Sequence, residues 1–302
     1  MVDEISISVV ITCYKEGKLL LDAYKSLLNQ TDKDFEILII NDKSPDEETN
    51  SICTELSQKP NTRVIFHAEN GGLAQARKTG YKEMKGNICV PLDADDILPE
   101  NAIKDIKETF ENHPNAGFIF GNYWKVEVDT KQKELVNTSI ICAENGQLSI
   151  EKLAKNWILL GTSPCKKVVF ESVGGASQQF SYDIDDMDFW IKVLKAGNVG
   201  FHVNMPIYTW NRQLTGMNYN LKGDKMLELF KVHSDFFIQN NAAKSFQPVV
   251  YGPFLKANDW NGFKNAITEL EKLGIEVGKY KLLKILPNGL LKWIYKAFKS
   301  IK

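Results

Sequence analysis

Four apolar runs, each separated from the next by a helix-length stretch, limit what the first ninety residues of this chain can become. They are Ile5 to Thr12, Phe35 to Ile40, Arg63 to His67 and Ile88 to Leu92. The first is rich in β-branched residues, the pattern of a strand buried on both faces. Between the runs lie three helical stretches. Lys18 to Asn29 carries Leu19, Leu20, Ala23, Leu27 and Leu28 on one face. Ser44-Pro45-Asp46-Glu47 opens the second, with serine as N-cap, proline at the first position and glutamate at the third. Gly72 to Met84 is the third. Strand–helix alternation with short links predicts a parallel sheet with right-handed crossovers. A chain of 302 residues, 43% hydrophobic, can bury one large core with an appendage, or two small ones.

In open α/β sheets, ligands bind outside the carboxyl ends of the strands. The fourth run ends there in Asp93-Ala94-Asp95-Asp96, with a helix start expected at Pro99. Two carboxylates two residues apart suit a hard divalent cation such as Mg²⁺ or Mn²⁺. The competing reading has Asp96 capping the next helix and the other acids solvated. The first strand ends in Thr12-Cys13-Tyr14-Lys15-Glu16-Gly17. That is neither Gly-x-Gly-x-x-Gly nor a P-loop, so a dinucleotide or a P-loop triphosphate site is not expected. The strand ends do offer Tyr14 for stacking on a base and Asp42 for a base N–H or a ribose hydroxyl. The Asn70-Gly71-Gly72 turn, with Arg77 beyond it, offers donors for phosphate. Each has a bland alternative: Tyr14 as packing, Asp42 as a helix-flanking acid, Arg77 as a surface charge.

A net charge of −1 argues against a nucleic-acid protein held by an overall basic field. The five cysteines (Cys13, Cys53, Cys89, Cys142 and Cys165) form no Cys-x-x-Cys pair, so neither a zinc site nor a disulfide framework is indicated. Cys13 and Cys89 fall in apolar runs and read as buried thiols of a reducing cytosol. Met1 to Glu4 opens with acids and does not read as a signal peptide. No run of about eighteen apolar residues occurs. The expected location is cytoplasmic.

Farther on, Pro99 to Asn112 reads as an amphipathic helix with Ala102, Ile103, Ile106 and Phe110 inward. Ala116 to Phe120 reads as a strand, Tyr123 to Ile141 as a hairpin, and Ser149 to Trp157 as a short helix. Then Asp183, Asp185, Asp186 and Asp188 crowd into six residues that run on into Phe189 and Trp190. Like charges held close at a partly desolvated edge raise one another's pKa, which suits a general base. The alternative, that these acids favour the dipole of a helix's first turn, is preferred for Asp183 and Asp188.

Ile11 to Glu16, Asn41 to Ser44, Asn70 to Gly72 through Ala76-Arg77, and Leu92 to Asp96 follow one another in this order. Together they resemble the family 2 glycosyltransferases of the GT-A fold, with the likeness running from residue 5 to residue 217. The resemblance implies a Rossmann-like, mostly parallel α/β sheet over residues 1–220, with a nucleotide-sugar half (1–122) and an acceptor half (123–220). Residues 221–302 would form a helical extension. It further implies a nucleotide-sugar site at Thr12, Tyr14, Glu16, Asp42, Asn70, Arg77 and Asp93. Asp95 would be the main ligand of Mn²⁺ or Mg²⁺, with Asp93 beside it. The segment Asp185 to Trp190 is similar to the family's Glu-Asp-x-Asp/Glu-Phe/Leu-Trp motif, which makes Asp186 the catalytic base. Asp185 replaces the usual glutamate, and Ala176 replaces the aromatic that commonly follows the two glycines. Arg212 would oppose the diphosphate. A histidine ligand seen in some relatives has no counterpart in the loop after it, because the histidines are His67, His113, His202 and His233.

The implied activity is inverting transfer of a sugar, usually from a uridine diphosphate sugar, to a hydroxyl. The acceptor would be a glycan or lipid-linked molecule of cell-surface polysaccharide or glycoconjugate synthesis. No Gln-x-x-Arg-Trp occurs, so single transfer is expected rather than processive synthesis. Two rivals remain: a nucleotide-sugar-binding homologue without turnover, and a sugar nucleotidyltransferase. The latter usually carries a glycine-rich, basic turn after the first strand, which Thr12 to Gly17 is not.

The last eighty residues read as helical. Met226, Leu229, Phe230, His233, Phe236 and Phe237 form a packing stripe, and Trp260 to Leu273 a helix ended by Gly274. After Glu276 there is no acid, while lysines stand at 279, 281, 284, 292, 296, 299 and 302. From Asn288, Leu290, Leu291, Ile294, Phe298 and Ile301 make one face of a basic amphipathic helix. Two readings stay open: a helix lying on the inner face of an anionic membrane, or one packed on the catalytic domain with its lysines solvated.

Overall fold

The computed structural model describes residues 4–180, 184–213 and 222–299. Tyr182, Asp183, Ile301 and the polar loop running to Asn220 lie outside them. In chain order the elements begin β1 (Ile7–Cys13), α1 (Leu19–Leu28), β2 (Phe35–Asn41), α2 (Glu47–Leu56), β3 (Thr62–Phe66), α3 (Leu73–Glu83), β4 (Ile88–Asp93) and α4 (Ala102–Asn112). They continue β5 (Ala116–Glu127), β6 (Lys133–Val136), α5 (Ile150–Lys155), β7 (Cys165–Lys166), α6 (Lys167–Val173), α7 (Asp185–Lys195) and β8 (Val199–Arg212). The last six are α8 (Gly223–Val232), α9 (Ser234–Gln239), α10 (Ala243–Ala257), α11 (Trp260–Lys272), α12 (Tyr280–Ile285) and α13 (Asn288–Lys299). The chain divides into two units, Met1–Leu148 with Leu159–Gly216, and Ser149–Ile158 with Met217–Lys302.

The first unit holds a mixed α/β sheet in the order β3-β2-β1-β4-β7-β5-β6, with β8 also paired to β5. Every residue of β1 is buried, as its β-branched run requires. β1, β2, β3 and β4 pair in parallel, and their registers bring Cys13 level with Asn41 and Thr12 level with Asp93. The carboxyl ends of three strands therefore meet at one edge. The strand order reverses between β1 and β4, where open α/β sheets take their ligands.

Beyond β4 the sheet departs from the parallel expectation. β7 runs antiparallel to β4 and β5, and β6 antiparallel to β5, while β8 is parallel to β5. The β5–β6 pair is the hairpin that alternation placed at Tyr123–Ile141. The two-residue β7 and the long β8 carried no clear strand signal.

Several local expectations shift. Asp46, not Ser44, caps α2, and its carboxylate accepts from Thr49 N and Thr49 Oγ1 at 2.8 and 2.6 Å. On α1 the buried set is Leu20, Ala23, Tyr24, Ser26 and Leu27, while Leu19 and Leu28 are exposed. Pro99 opens a turn rather than the helix itself, which begins at Ala102. All five cysteines are free and buried, with Cys13 and Cys53 thiols 3.6 Å apart.

The second unit is helical. Its core is aromatic: Phe237 stacks on Phe246 at 4.3 Å and on Phe230 at 5.2 Å. Met226, Leu229, His233 and Phe236 are buried, as the packing stripe predicted. α5 belongs here rather than to the first 220 residues, and its neighbour Trp157 meets Phe246 edge-on at 5.8 Å. Among the described residues no helix is long and apolar enough to cross a membrane.

Candidate active site

The turn after β4 is built around Asp96. Its carboxylate is buried and accepts from Tyr208 OH and from Asn211 N, both at 2.7 Å. Asp96 therefore anchors β8 and does not cap α4. Burial, then the charges of Asp95 and Asp93, push its pKa well above the ordinary carboxylate value. Tyr208 OH in turn accepts from Asp93 N at 3.2 Å. Asn211 Nδ2 donates to Asp95 O at 2.8 Å, and Gln213 Nε2 to Asp95 Oδ2 at 3.4 Å. Asn211 and Gln213 thus both reach this turn. Arg212, between them, pairs with Glu127 Oε1 at 2.8 Å and lies over the Trp210 ring.

Asp93 and Asp95 are half-buried. Burial, then Asp93 and at longer reach Glu16, raise the Asp95 carboxyl to about 7. Thr12 Oγ1 donates to Asp93 Oδ1 at 3.4 Å across the β1–β4 register.

The second acid group stands at the start of α7. Asp185 is buried and Asp186 half-buried. Arg77, reaching from α3, joins the two groups. Its Nη2 lies 3.1 and 3.3 Å from the two oxygens of Asp93, and its Nη1 lies 3.4 Å from Asp185 Oδ2. Burial opposes the charged guanidinium, but Asp93, Asp185 and Asp186 outweigh it and hold its pKa above the usual arginine value. Its Nε is buried with no hydrogen-bond partner among the described residues. Burial and the neighbouring Asp185 raise Asp186 to about 6, against the pull of Arg77. Asp186 Oδ1 accepts from Met187 N at 2.8 Å.

Gly161 lies against this pair. A Cβ there would sit 2.7 Å from Asp186 Cβ and 3.2 Å from Arg77 Nη1. Asp188 stands in the first turn of α7, as expected, and there it is fully buried and accepts from Ser177 N at 2.6 Å, which ties a loop to the helix.

At the neighbouring strand ends, Asp42 accepts from Gly71 N at 2.9 Å, Gly72 N at 2.7 Å and His67 Nδ1 at 2.6 Å. Asn70 Nδ2 donates to Asp42 O at 3.1 Å. Asp42 thus organises the Asn70–Gly72 turn, in which Gly72 takes a φ of 79° that favours glycine. Glu16 accepts from Tyr14 N and Lys15 N at 2.5 and 2.8 Å, and Lys15 Nζ lies 5.1 Å from the centre of the Tyr14 ring.

The side chains of Asp93 and Asp95 offer hard oxygen ligands, and burial, then the charge of Asp93, raises Asp95. A divalent cation suits both features. No group of three or more His, Cys, Asp or Glu side chains among the described residues is arranged around a metal position. The protein would therefore supply one or two carboxylates, leaving the other positions to a ligand and water, as is usual for Mg²⁺.

Sheet, acid turns and Arg77 together form an α/β crevice lined by carboxylates and bridged by a guanidinium. The family model "Glycosyl transferase family 2" matches residues 8–173, more than half of the chain, and the chain belongs to that family. Glycosyltransferase GlyG of Streptococcus pneumoniae serotype 4 is 34% identical over 122 residues, 40% of each chain. The minor teichoic acid biosynthesis protein GgaB of Bacillus subtilis is 34% identical over 111 residues, 36% of this chain and 12% of GgaB. The chain thus spans well under half the length of either relative. In structure it is similar to residues 1–349 of Staphylococcus aureus TarS in complex with UDP-GlcNAc, with a TM-score of 0.66 at 14% identity. That match covers 87% of this chain and 79% of TarS 1–349. At that identity the likeness is one of GT-A fold.

Proposed function

We propose that this chain is an inverting glycosyltransferase that moves a sugar from a nucleoside diphosphate donor, a UDP-sugar, to a hydroxyl of a cell-surface glycan or lipid-linked acceptor. The observation that carries the reading is the Arg77 bridge, which links Asp93 of the β4 turn to Asp185, the residue before Asp186. Thr12, Tyr14, Glu16, Asp42 and Asn70 line the strand ends at which the nucleotide would lie. A cation held by Asp95 and Asp93 would offset the charge of the departing diphosphate. Asp186 takes the proton of the acceptor hydroxyl as that oxygen attacks the anomeric carbon from the face opposite the leaving group. The bond to the diphosphate breaks in the same displacement, so configuration inverts. Arg212 is assigned to the diphosphate side. In that role it exchanges part of its contact with Glu127 for the ligand.

The donor is tested by thermal stabilisation with a panel of nucleotide-sugars in Mn²⁺. The matching donor at about a hundredfold over its Kd should add about 2.7 kcal/mol of stability. Asp95→Ala should abolish the part of that shift that depends on Mn²⁺. A shift seen equally without cation and with the Asp95→Ala protein would rule the cation site out.

A further consequence concerns Gly161. Gly161→Ala places a methyl group against Asp186 Cβ. A displacement of about 1 Å at a reacting group costs about 10²-fold. We expect kcat to fall by that order, with donor stabilisation retained. Unchanged kcat would mean that Asp186 is not held by this contact.

A further inference from the structure

The helix at Asn288–Lys299 does not present its apolar residues to one side. Leu291 is 3% exposed, and Tyr295 meets Trp260 of α11 edge-on at 6.0 Å. Leu290 and Trp293, three residues apart, are 43% and 68% exposed. α12 repeats the division. Tyr280 packs edge-on against Tyr251 at 4.7 Å, and Lys284 pairs with Glu271 at 2.7 Å. Leu282 and Ile285, again three apart, are 68% and 76% exposed. Residues three apart share a helix face, so each of two consecutive helices docks one face on its own unit and leaves an apolar pair bare. Lys279, Lys281, Lys292 and Lys296 are exposed among them, and no acid follows Glu276.

We propose that Leu282, Ile285, Leu290 and Trp293 form a docking surface for an anionic lipid bilayer. A soluble partner of ordinary mixed charge would not account for a segment with seven lysines and no carboxylate. Indole and leucine side chains seat at the headgroup–acyl boundary while lysines reach the lipid phosphates. One face packs on α11 of its own unit, not on the catalytic domain as the sequence alternative had it, and the other meets lipid. The inference stands apart from the transferase reading, because binding is measured without turnover.

The test is co-sedimentation of the full chain with vesicles of phosphatidylcholine alone or mixed with phosphatidylglycerol. Binding is expected only to the anionic vesicles, and should weaken as salt rises. Ile285→Glu with Trp293→Glu should lower partitioning by at least about tenfold, and each exposed lysine changed to glutamine by about fivefold. Val168→Glu, at a residue 65% exposed in the other unit, should leave partitioning unchanged. Absence of binding to anionic vesicles overturns the proposal. So does equal binding by the Ile285→Glu/Trp293→Glu chain. A wild-type dimer that these substitutions convert to a monomer, without vesicle binding, would assign the face to a second copy.

Discussion

Asp186→Asn is expected to lower kcat by about 10²–10⁴-fold, the usual contribution of a positioned general base, while the donor still stabilises the protein against heat. Asparagine keeps the size and the hydrogen bond from Met187 N but cannot take a proton. The pH profile checks the assignment separately. The carboxyl of Asp186 titrates near 6, raised by burial and Asp185 against the pull of Arg77. Activity should therefore fall on the acid side as pH drops through about 6, and level off above it. Stability should move the other way. A carboxyl whose folded pKa is raised binds more protons in the native state than in the unfolded one. Its favourable contribution is complete below the unfolded value and is lost as pH rises through the folded value. The Asp186→Asn protein escapes that loss, so its Tm at neutral pH should equal or exceed that of the wild type. Near-normal turnover by this variant would remove Asp186 from the mechanism.

The parts of the fold that were legible in the sequence are those where period and chemistry agree. β1, β2 and β4 are apolar through most of their length because both faces are covered, and β4 ends in Asp93 at the crevice. β7 and β8 were not legible for opposite reasons. Two residues, Cys165 and Lys166, are too few to show a period. In β8 the strand shifts register against β5 between Gly121 and Tyr123, which breaks the alternation. That loss hid Asn211 and Gln213, which touch the Asp95 turn, while Arg212 stood out only through the family resemblance. Asp96, Asp185 and Gly161 were missed as supports because their partners are distant in sequence: Asp96 is held by Tyr208, Asp185 by Arg77, and Gly161 packs on Asp186. The sequence offers Asp42 to a ligand or as a helix-flanking acid, and the three donors it satisfies lie 25, 29 and 30 residues on, where no local pattern reveals them.

Arg77 separates two accounts of the crevice, and its removal should give the largest loss of stability of any change proposed. If it only met phosphate from the surface, Arg77→Met would raise the KM for the donor and leave Tm alone. The structure sets it between Asp93 and Asp185, with Asp186 within electrostatic reach. Taking away the cation that pairs this group leaves partly desolvated carboxylates uncompensated, a cost of about 3–5 kcal/mol in comparable buried pairs. Without the guanidinium, the pKa values of Asp185 and Asp186 rise further. Raised carboxyls lend stability at low pH and lose it as pH rises. The gap between wild type and variant, measured by urea unfolding, should therefore be wider at pH 8 than at pH 5. Lysine should rescue only part of it, because an ammonium is a point charge and cannot engage Asp93 and Asp185 through separate nitrogens. Neutralising one partner, as in Arg77→Met with Asp185→Asn, should recover stability that the single change loses, since the repulsion is then shared by fewer charges. A double variant no more stable than Arg77→Met would show that the guanidinium does not act through these carboxylates, and the two acid turns would then have to be held together by some other contact.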